Sequence, residues 1–210
     1  MIVNDLIQLE NASSDLLELT HYRTIPAYQQ AKTLFTNTPR KDHYYAMNRF
    51  NGFMLDNGFR RLGEGAFAAV YEKPGYPWVF KVFHGDPAYL DFLKFALKNQ
   101  SNPHVPKFKG QPFKISNDTY AVRMEKLSHM FSNVDDLLNL TNRWRGGLLT
   151  APQEEYLNDV DLPQMIPVLN SLSKLAKAHG YNLDIHNFNV MARGDTLVIV
   201  DPIVDGRALY

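Results

Sequence analysis

Asp184, His186 and Asn189 stand close together as Asp-Ile-His-Asn-Phe-Asn, and Asp201 follows in Val-Ile-Val-Asp-Pro. A carboxylate, an amide five positions on and a second carboxylate at the end of the next apolar run offer the hard oxygen donors that Mg2+ prefers. Such a set can converge on one metal–phosphate centre. Asp also favours caps and turns, so the residue types alone admit a purely structural reading. His186 is open in the same way, between a phosphate contact and a turn histidine resting on its neighbours.

A second set lies far upstream. Gly63 and Gly65 sit directly after an expected strand, Val70 begins the next one, and Lys81 stands in a third as Val-Phe-Lys-Val. A glycine hairpin lets backbone N–H groups approach a triphosphate, because a Cβ at those positions would hold the phosphate oxygens away. Taken alone, such a hairpin is also what an ordinary turn looks like, and Lys81 could be an exposed strand lysine.

Composition narrows what these residues can serve. The chain has 210 residues, 45% of them hydrophobic and 21% charged, enough for a sizeable core and incompatible with wholesale disorder. Lys plus Arg and Asp plus Glu number 22 each, so no net field is available to hold a polyanion, and nucleic acid is not an expected partner. There is no cysteine, which excludes disulfides, thiolate nucleophiles and Cys-ligated metals. The opening MIVNDLIQLE has acids and no base, and no apolar run nears the ~20 residues of a membrane span, so a cytoplasmic chain with no membrane partner is expected.

The elements that must position the two sets can be read from periodicity and punctuation. Residues 1–57 read as a helical extension, with Pro26 opening one helix and Thr38-Pro39 another that ends at Asn57-Gly58. From Phe59 short β-rich runs broken by Gly63, Gly65 and Pro74-Gly75 predict three antiparallel strands. Asp86 with Pro87 behind it caps a helix running to about Gln100, and two more strands flank Asn117-Asp118. Ser132 and Asp135 resemble a capping box for a helix over 134–144 that Arg145-Gly146-Gly147 ends. Met165, Leu169, Leu172, Ala176 and His179 share one face of a helix stopped by Gly180, which makes His179 an expected hydrogen-bonded core residue. Two short strands then surround Gly194-Asp195. The aromatics Tyr44, Tyr45, Phe50, Phe53 and Phe59 are expected to form the seam between the N-terminal helices and the sheet.

Gly-x-Gly-x-Phe, Val-x-Lys, Asp-x-His-x-x-Asn and strand-Asp-Pro occur in an order that resembles the protein-kinase-like superfamily. The nearest form is similar to the small early serine/threonine kinases of short-tailed bacteriophages, over roughly 58–204. The resemblance implies an α+β, two-lobed fold: a five-stranded antiparallel N-lobe over 58–127, a reduced helical C-lobe over 128–210, and ATP in the cleft between them. It implies further that Gly63, Gly65 and the backbone to Ala68 cover the phosphates with Val70 beside them, and that Lys81 pairs with the α- and β-phosphates. Met124 would be the gatekeeper, with the backbone of Glu125 and Leu127 reading adenine. Asp184 would orient or deprotonate the acceptor hydroxyl, His186 would take a place near the γ-phosphate, and Asn189 and Asp201 would hold Mg2+. The implied partners are host protein substrates or a regulatory protein.

Several departures bear on competence. The third loop glycine is Ala68, and Leu183 replaces the arginine that usually precedes the catalytic aspartate. Nine residues follow Asp201, so no activation segment or later C-lobe helices are expected in this chain. The helix after the third strand has no glutamate for Lys81; Asp91 is its only acid past the cap, so either Asp91 reaches the lysine or the lysine is paired elsewhere. A pseudokinase-like binding protein and a small-molecule phosphotransferase are the rival readings.

Overall fold

The computed structural model describes residues 43–65, 67–116, 118–129, 149–159, 162–186 and 188–209. The helix expected from Pro26, the one expected over 134–144 and the side chains of Tyr44 and Tyr45 lie outside the described residues. The chain divides into two compact units, one formed by residues up to Gly85 with Phe108–Lys126, the other by Asp86–Lys107 with Leu127–Tyr210.

In the first unit, helix α1 (His43–Asp56) closes where Asn57-Gly58 predicts, with the Phe59 N–H donating to the Met54 carbonyl at 3.0 Å. Five antiparallel strands follow: β1 (Arg60–Glu64), β2 (Ala68–Glu72), β3 (Trp78–His84), β4 (Phe108–Ser116) and β5 (Thr119–Glu125), in the order β1-β2-β3-β5-β4. Lys81 is the register partner of Val70 and Val122, while Phe80 is the partner of Tyr71. Because side chains alternate across a strand, Tyr71 and Phe80 share one face and Val70 and Lys81 the other. The helix covers the Tyr71 face: Phe50, Phe53, Met54 and Phe59 are buried, with Phe50 edge-on to Tyr71 and Phe59 edge-on to Phe80. Each such side chain, fully buried, contributes roughly 1.5–3 kcal/mol. That is the aromatic seam expected from the sequence. Burial of the Tyr71 phenol, the largest effect on it, pushes its pKa up to about 12.

The edges of this sheet are interrupted. The β1 ladder shifts between Arg61 and Gly63, and the β4 ladder between Lys109 and Phe113, across Pro112. Bulges and proline on edge strands deny a second chain a continuous row of partners.

The second unit contains helix α2 (Pro87–Lys98), α3 (Ala151–Asp159), α4 (Met165–His179) and two small antiparallel pairs: β6 (Asn182–Leu183) with β9 (Ile203–Val204), and β7 (Val190–Arg193) with β8 (Thr196–Ile199). Asp86 caps α2 as read from the sequence, its carboxylate accepting from the Tyr89 N–H at 2.9 Å. That helix groups with the C-terminal unit, although the sequence reading assigned it to the N-lobe. Gly180 ends α4 in the left-handed conformation (φ +69), where any other residue is strained. Met165, Leu169, Leu172 and Ala176 are buried on α4, but His179 is exposed, with 47% of its side chain accessible. The helical period carries it to the edge of the buried stripe in the final turn, so the expectation of a core histidine is corrected.

Two elements have no counterpart in the sequence reading. Helix α3 begins at a half capping box, where the Gln153 side chain accepts from the Thr150 N–H at 2.8 Å and Pro152 follows at the start of the helix. The strands β6 and β9 are two residues each, too short for any periodicity to reveal.

Behind the β7–β8 hairpin, the segment after α2 is pinned by polar groups. His104 is buried, its Nδ1 lies 2.8 Å from the Leu197 carbonyl, and its own carbonyl accepts from the Ile199 N–H at 3.0 Å. Arg193 donates to the carbonyls of Pro103 and Val105 on either side. Burial, the largest influence, depresses the His104 pKa below its ordinary 6.5, and Arg193 adds to this against the opposing carbonyl bond. The folded chain therefore favours the neutral ring. Its contribution is complete above pH 6.5 and is lost as pH falls through that value toward the lower folded one, because the unfolded chain takes up the proton first. His104→Asn, which retains a donor for Leu197, is expected to flatten this acid limb in denaturant titrations across pH 5–8; equal slopes for the two proteins would show that His104 does not set it.

Candidate functional site

In the C-terminal unit the β6–β9 pair lies beside the candidate residues. Asn182 pairs with Val204 and Leu183 with Ile203, and one residue further the Asp184 N–H donates to the Pro202 carbonyl at 2.7 Å. Asp184 therefore leaves the end of one strand beside the residue that follows Asp201 on its neighbour. The Asn189 carbonyl accepts from the Val200 N–H at 2.9 Å, and the Asn189 N–H donates to the His186 carbonyl at 2.8 Å, which closes the 184–189 loop against the residue preceding Asp201. Asp184, Asn189 and Asp201 are thus held at the ends of adjoining backbone segments.

Asn189 is the hub among the side chains. Its Nδ2 donates to the Asp184 carbonyl at 2.6 Å and to Asp184 Oδ2 at 3.1 Å, which uses both of its protons and makes Oδ1 the atom that can meet a cation. The Phe188 N–H donates to His186 Nδ1 at 3.2 Å, so in the neutral ring the proton sits on Nε2, 3.4 Å from Asp184 Oδ1. Asn189 Nδ2 also lies 3.1 Å from that Nε2, a close approach with no proton left to share. The Asp184 and His186 side chains are each a little over two-fifths exposed, open enough to meet a substrate. Phe188, two residues after His186, is an exposed aromatic, edge-on to that ring.

Beneath this loop, Tyr89 on α2 is fully buried, and burial holds its phenol well above the usual range, with the carboxylates of Asp201 and Asp86 adding to the effect. Asp201 is therefore within electrostatic reach of α2.

The N-terminal unit carries the other expected residues. Ala68, Val70, Lys81 and Met124 share the sheet face opposite α1, following from the pairings Ala68–Phe83, Val70–Lys81 and Val79–Met124. Lys81 is 6% exposed and Met124 is buried. Glu125 closes β5, and Leu127 follows it as the first residue of the second unit. Glu72, at the end of β2, was not singled out in the sequence. It accepts from Lys126 and Arg60, and these bonds hold its carboxyl below the usual range.

Gly63 and Gly65 are informative through what does not require them. Neither has a positive φ, and a Cβ built at either position meets no atom within 4 Å. Neither backbone strain nor a crowded neighbour calls for glycine at these two positions.

Asp91, the acid considered for Lys81, is engaged within its own unit. Its Oδ1 accepts from Lys94 at 2.7 Å and its Oδ2 from the Tyr181 hydroxyl at 3.0 Å, with His179 Nδ1 3.5 Å away. Burial acts to raise the Asp91 carboxyl, but the bonds from Lys94 and Tyr181 outweigh it and leave the group below its ordinary value.

Among the described residues no cluster of three or more His, Asp or Glu side chains is placed to hold a metal. Mg2+ uses one or two carboxylates and completes its shell with water and phosphate oxygens. Asn189 Oδ1 and the Asp201 carboxylate are donors of that chemistry. No helix among the described residues is long and apolar enough to cross a membrane.

No protein-family model and no curated protein matches this chain. Among solved structures it is similar to the PknI kinase domain of Mycobacterium tuberculosis, at 16% identity and a TM-score of 0.34, over 69% of this chain and 58% of that one. A second structure of the same domain gives 18% identity and a TM-score of 0.31, over 69% of this chain and 57% of the other.

The glycines generate a test that separates ligand binding from folding. Gly63→Ala and Gly65→Ala should each leave stability unchanged or raise it by about 0.4–1 kcal/mol, because the unfolded chain loses freedom and the folded one gains no clash. The same substitutions should weaken ATP binding by about tenfold, by interposing a methyl group before the phosphates. Calorimetric titration beside thermal melts checks both, and unchanged affinity in both variants would remove the hairpin from the binding site.

Proposed function

We propose that this chain is a kinase-like phosphotransferase that moves the γ-phosphoryl group of ATP to a Ser or Thr hydroxyl of a protein, a host protein if the phage resemblance holds. The observation that carries this reading is the hydrogen-bonded junction of β6 and β9. Asp184 follows directly on β6 and Asp201 stands two residues before β9, with Asn189 fastened to the first and to the residue before the second.

Each residue has a chemical part in this reading. Asp184, half-exposed and oriented by Asn189, accepts the proton of the acceptor hydroxyl as its oxygen attacks the γ-phosphorus, while the bond to the leaving ADP oxygen breaks. His186 offers its Nε2–H beside the same carboxylate. Mg2+, when bound with ATP, neutralises charge on the transferring group, and Asn189 and Asp201 are the residues that would hold it. The glycine hairpin and Lys81 of the N-terminal unit would take the phosphates, and the backbone at Glu125 and at Leu127, the first residue of the C-terminal unit, the adenine. Most of the catalysis is then positioning and charge neutralisation, which a small unit can supply.

A second reading, a binding protein without turnover, is favoured by one observation: Asp91 is engaged by Lys94 and Tyr181. Two measurements separate the readings. Mg-ATP at one hundred times Kd should stabilise the protein by about 2.7 kcal/mol in a melt, and Asp201→Asn should remove the metal-dependent part. With γ-labelled ATP and lysate, Asp184→Ala should abolish transfer while nucleotide affinity stays near that of the wild type. A melting shift without transfer would select the binding protein, and no shift at millimolar Mg-ATP would sink every nucleotide-dependent reading.

A further inference from the structure

The two-residue strand β6 ends on Leu183, immediately before Asp184, and a strand of that length cannot hold itself. Its far end is secured by the Asp184–Pro202 backbone bond. At its near end Tyr181, the residue just before it, donates its N–H to the Ala176 carbonyl at 2.9 Å and its hydroxyl to Asp91 on α2 at 3.0 Å. The same ring lies flat against His179, with centroids 5.4 Å apart, while Lys94 holds the other oxygen of Asp91. Helix α2 also touches β9. One side chain on α2 is therefore tied to the entry of the strand that presents Asp184, and the body of α2 lies against the strand that follows Asp201.

We propose that Asp91 and Tyr181 are positioning residues for phosphoryl transfer: their hydrogen bond fixes the entry of β6 on α2 and thereby the place of the Asp184 carboxylate. This rests on the transferase reading above. It gives Asp91 a task different from pairing with Lys81, and explains why one methylene less than glutamate suffices, since the partner is a nearby phenol. The bond is charge-assisted, partly screened from water and made by a rigid ring two residues from β6's last residue, so its loss is felt as displacement of Asp184.

The test uses the full chain. Tyr181→Phe keeps the ring and its contact with His179 and removes only the hydroxyl. It should lower kcat by about tenfold with KM for ATP unchanged, because the nucleotide contacts are elsewhere. Asp91→Ala should do the same, the double variant should be no worse than either single one, and Asp91→Asn, whose amide oxygen still accepts from Tyr181, should recover most of the rate. Hydrogen exchange at the Asp184 amide should quicken in Tyr181→Phe and Asp91→Ala but not in Asp91→Asn, a readout that holds whether or not the wild type transfers phosphate. The proposal is overturned by wild-type exchange at Asp184 in Tyr181→Phe, by additive losses in the double variant, or by Asp91→Asn failing as badly as Asp91→Ala. A wild type that transfers nothing, yet shows the expected exchange pattern, would overturn the transferase reading and leave the tie between α2 and β6 standing.

Discussion

The Asp184 N–H to Pro202 carbonyl bond, 2.7 Å long, is the contact on which the placement of the candidate residues in the C-terminal unit depends. It joins the exit of β6 to the entry of β9, strands that are only two residues each, and such a pair has too few hydrogen bonds to persist alone. Its persistence comes from surroundings that are apolar on one side and polar on the other. Ile203 is buried, α4 lies against β6 and α2 against β9, while Asn189 bridges Asp184 to the backbone at Val200.

In the N-terminal unit the controlling constraint is register. A one-residue slip of β3 would carry Lys81 to the face that α1 covers with Phe50, Met54 and Phe59. Phe80 and Tyr71 forbid that slip, because moving them to the other face would expose two rings that now meet α1 and its following residue edge-on. The helix before the sheet thus helps decide on which face the lysine stands. Lysine is a residue type seldom buried to 6% unless its charge is used.

Legibility in the sequence followed the strength of local signals. The cap at Asp86-Pro87, the stop at Gly180 and the turn at Gly194-Asp195 are local chemistry, and each marks an element boundary in the structure. Helix α3 carried a comparable signal in Thr150, Pro152 and Gln153, but its weak apolar stripe, with Leu157 its buried residue, gave periodicity nothing to detect. The β6–β9 pair could not be read at all, since two residues define no period and their pairing is long-range. His179 shows the opposite error: apolar spacing placed it on the core face, yet the last turn of α4 runs out into solvent. The grouping of Asp184, Asn189 and Asp201 was legible as an order of residues. The tie between Asp91 and Tyr181 was not, because the carboxylate and the phenol stand 90 positions apart and no motif connects them.

Glu72 shows how such a chain fixes geometry at little energetic cost. Its carboxylate is about one-tenth exposed, and the two cations that meet it, Arg60 and Lys126, are more than half exposed. Exposed partners keep most of their hydration, so neither cation suffers the desolvation that makes a fully buried pair unfavourable, and removing the acid would leave both of them solvated. The gain in stability is correspondingly small, but the geometric consequence is larger. Strand β3 lies between β2 and β5 in the sheet, so Lys126, the residue after β5, must reach across the end of β3 to meet Glu72, while Arg60 closes the same acid from β1. The result is a brace over four adjacent strands, set beside Glu125, whose backbone the nucleotide reading assigns to adenine. A weak ionic brace and a two-residue strand pair therefore serve the same end in the two units: each fixes the exit of a strand where a ligand would be read, and leaves folding itself to the apolar faces.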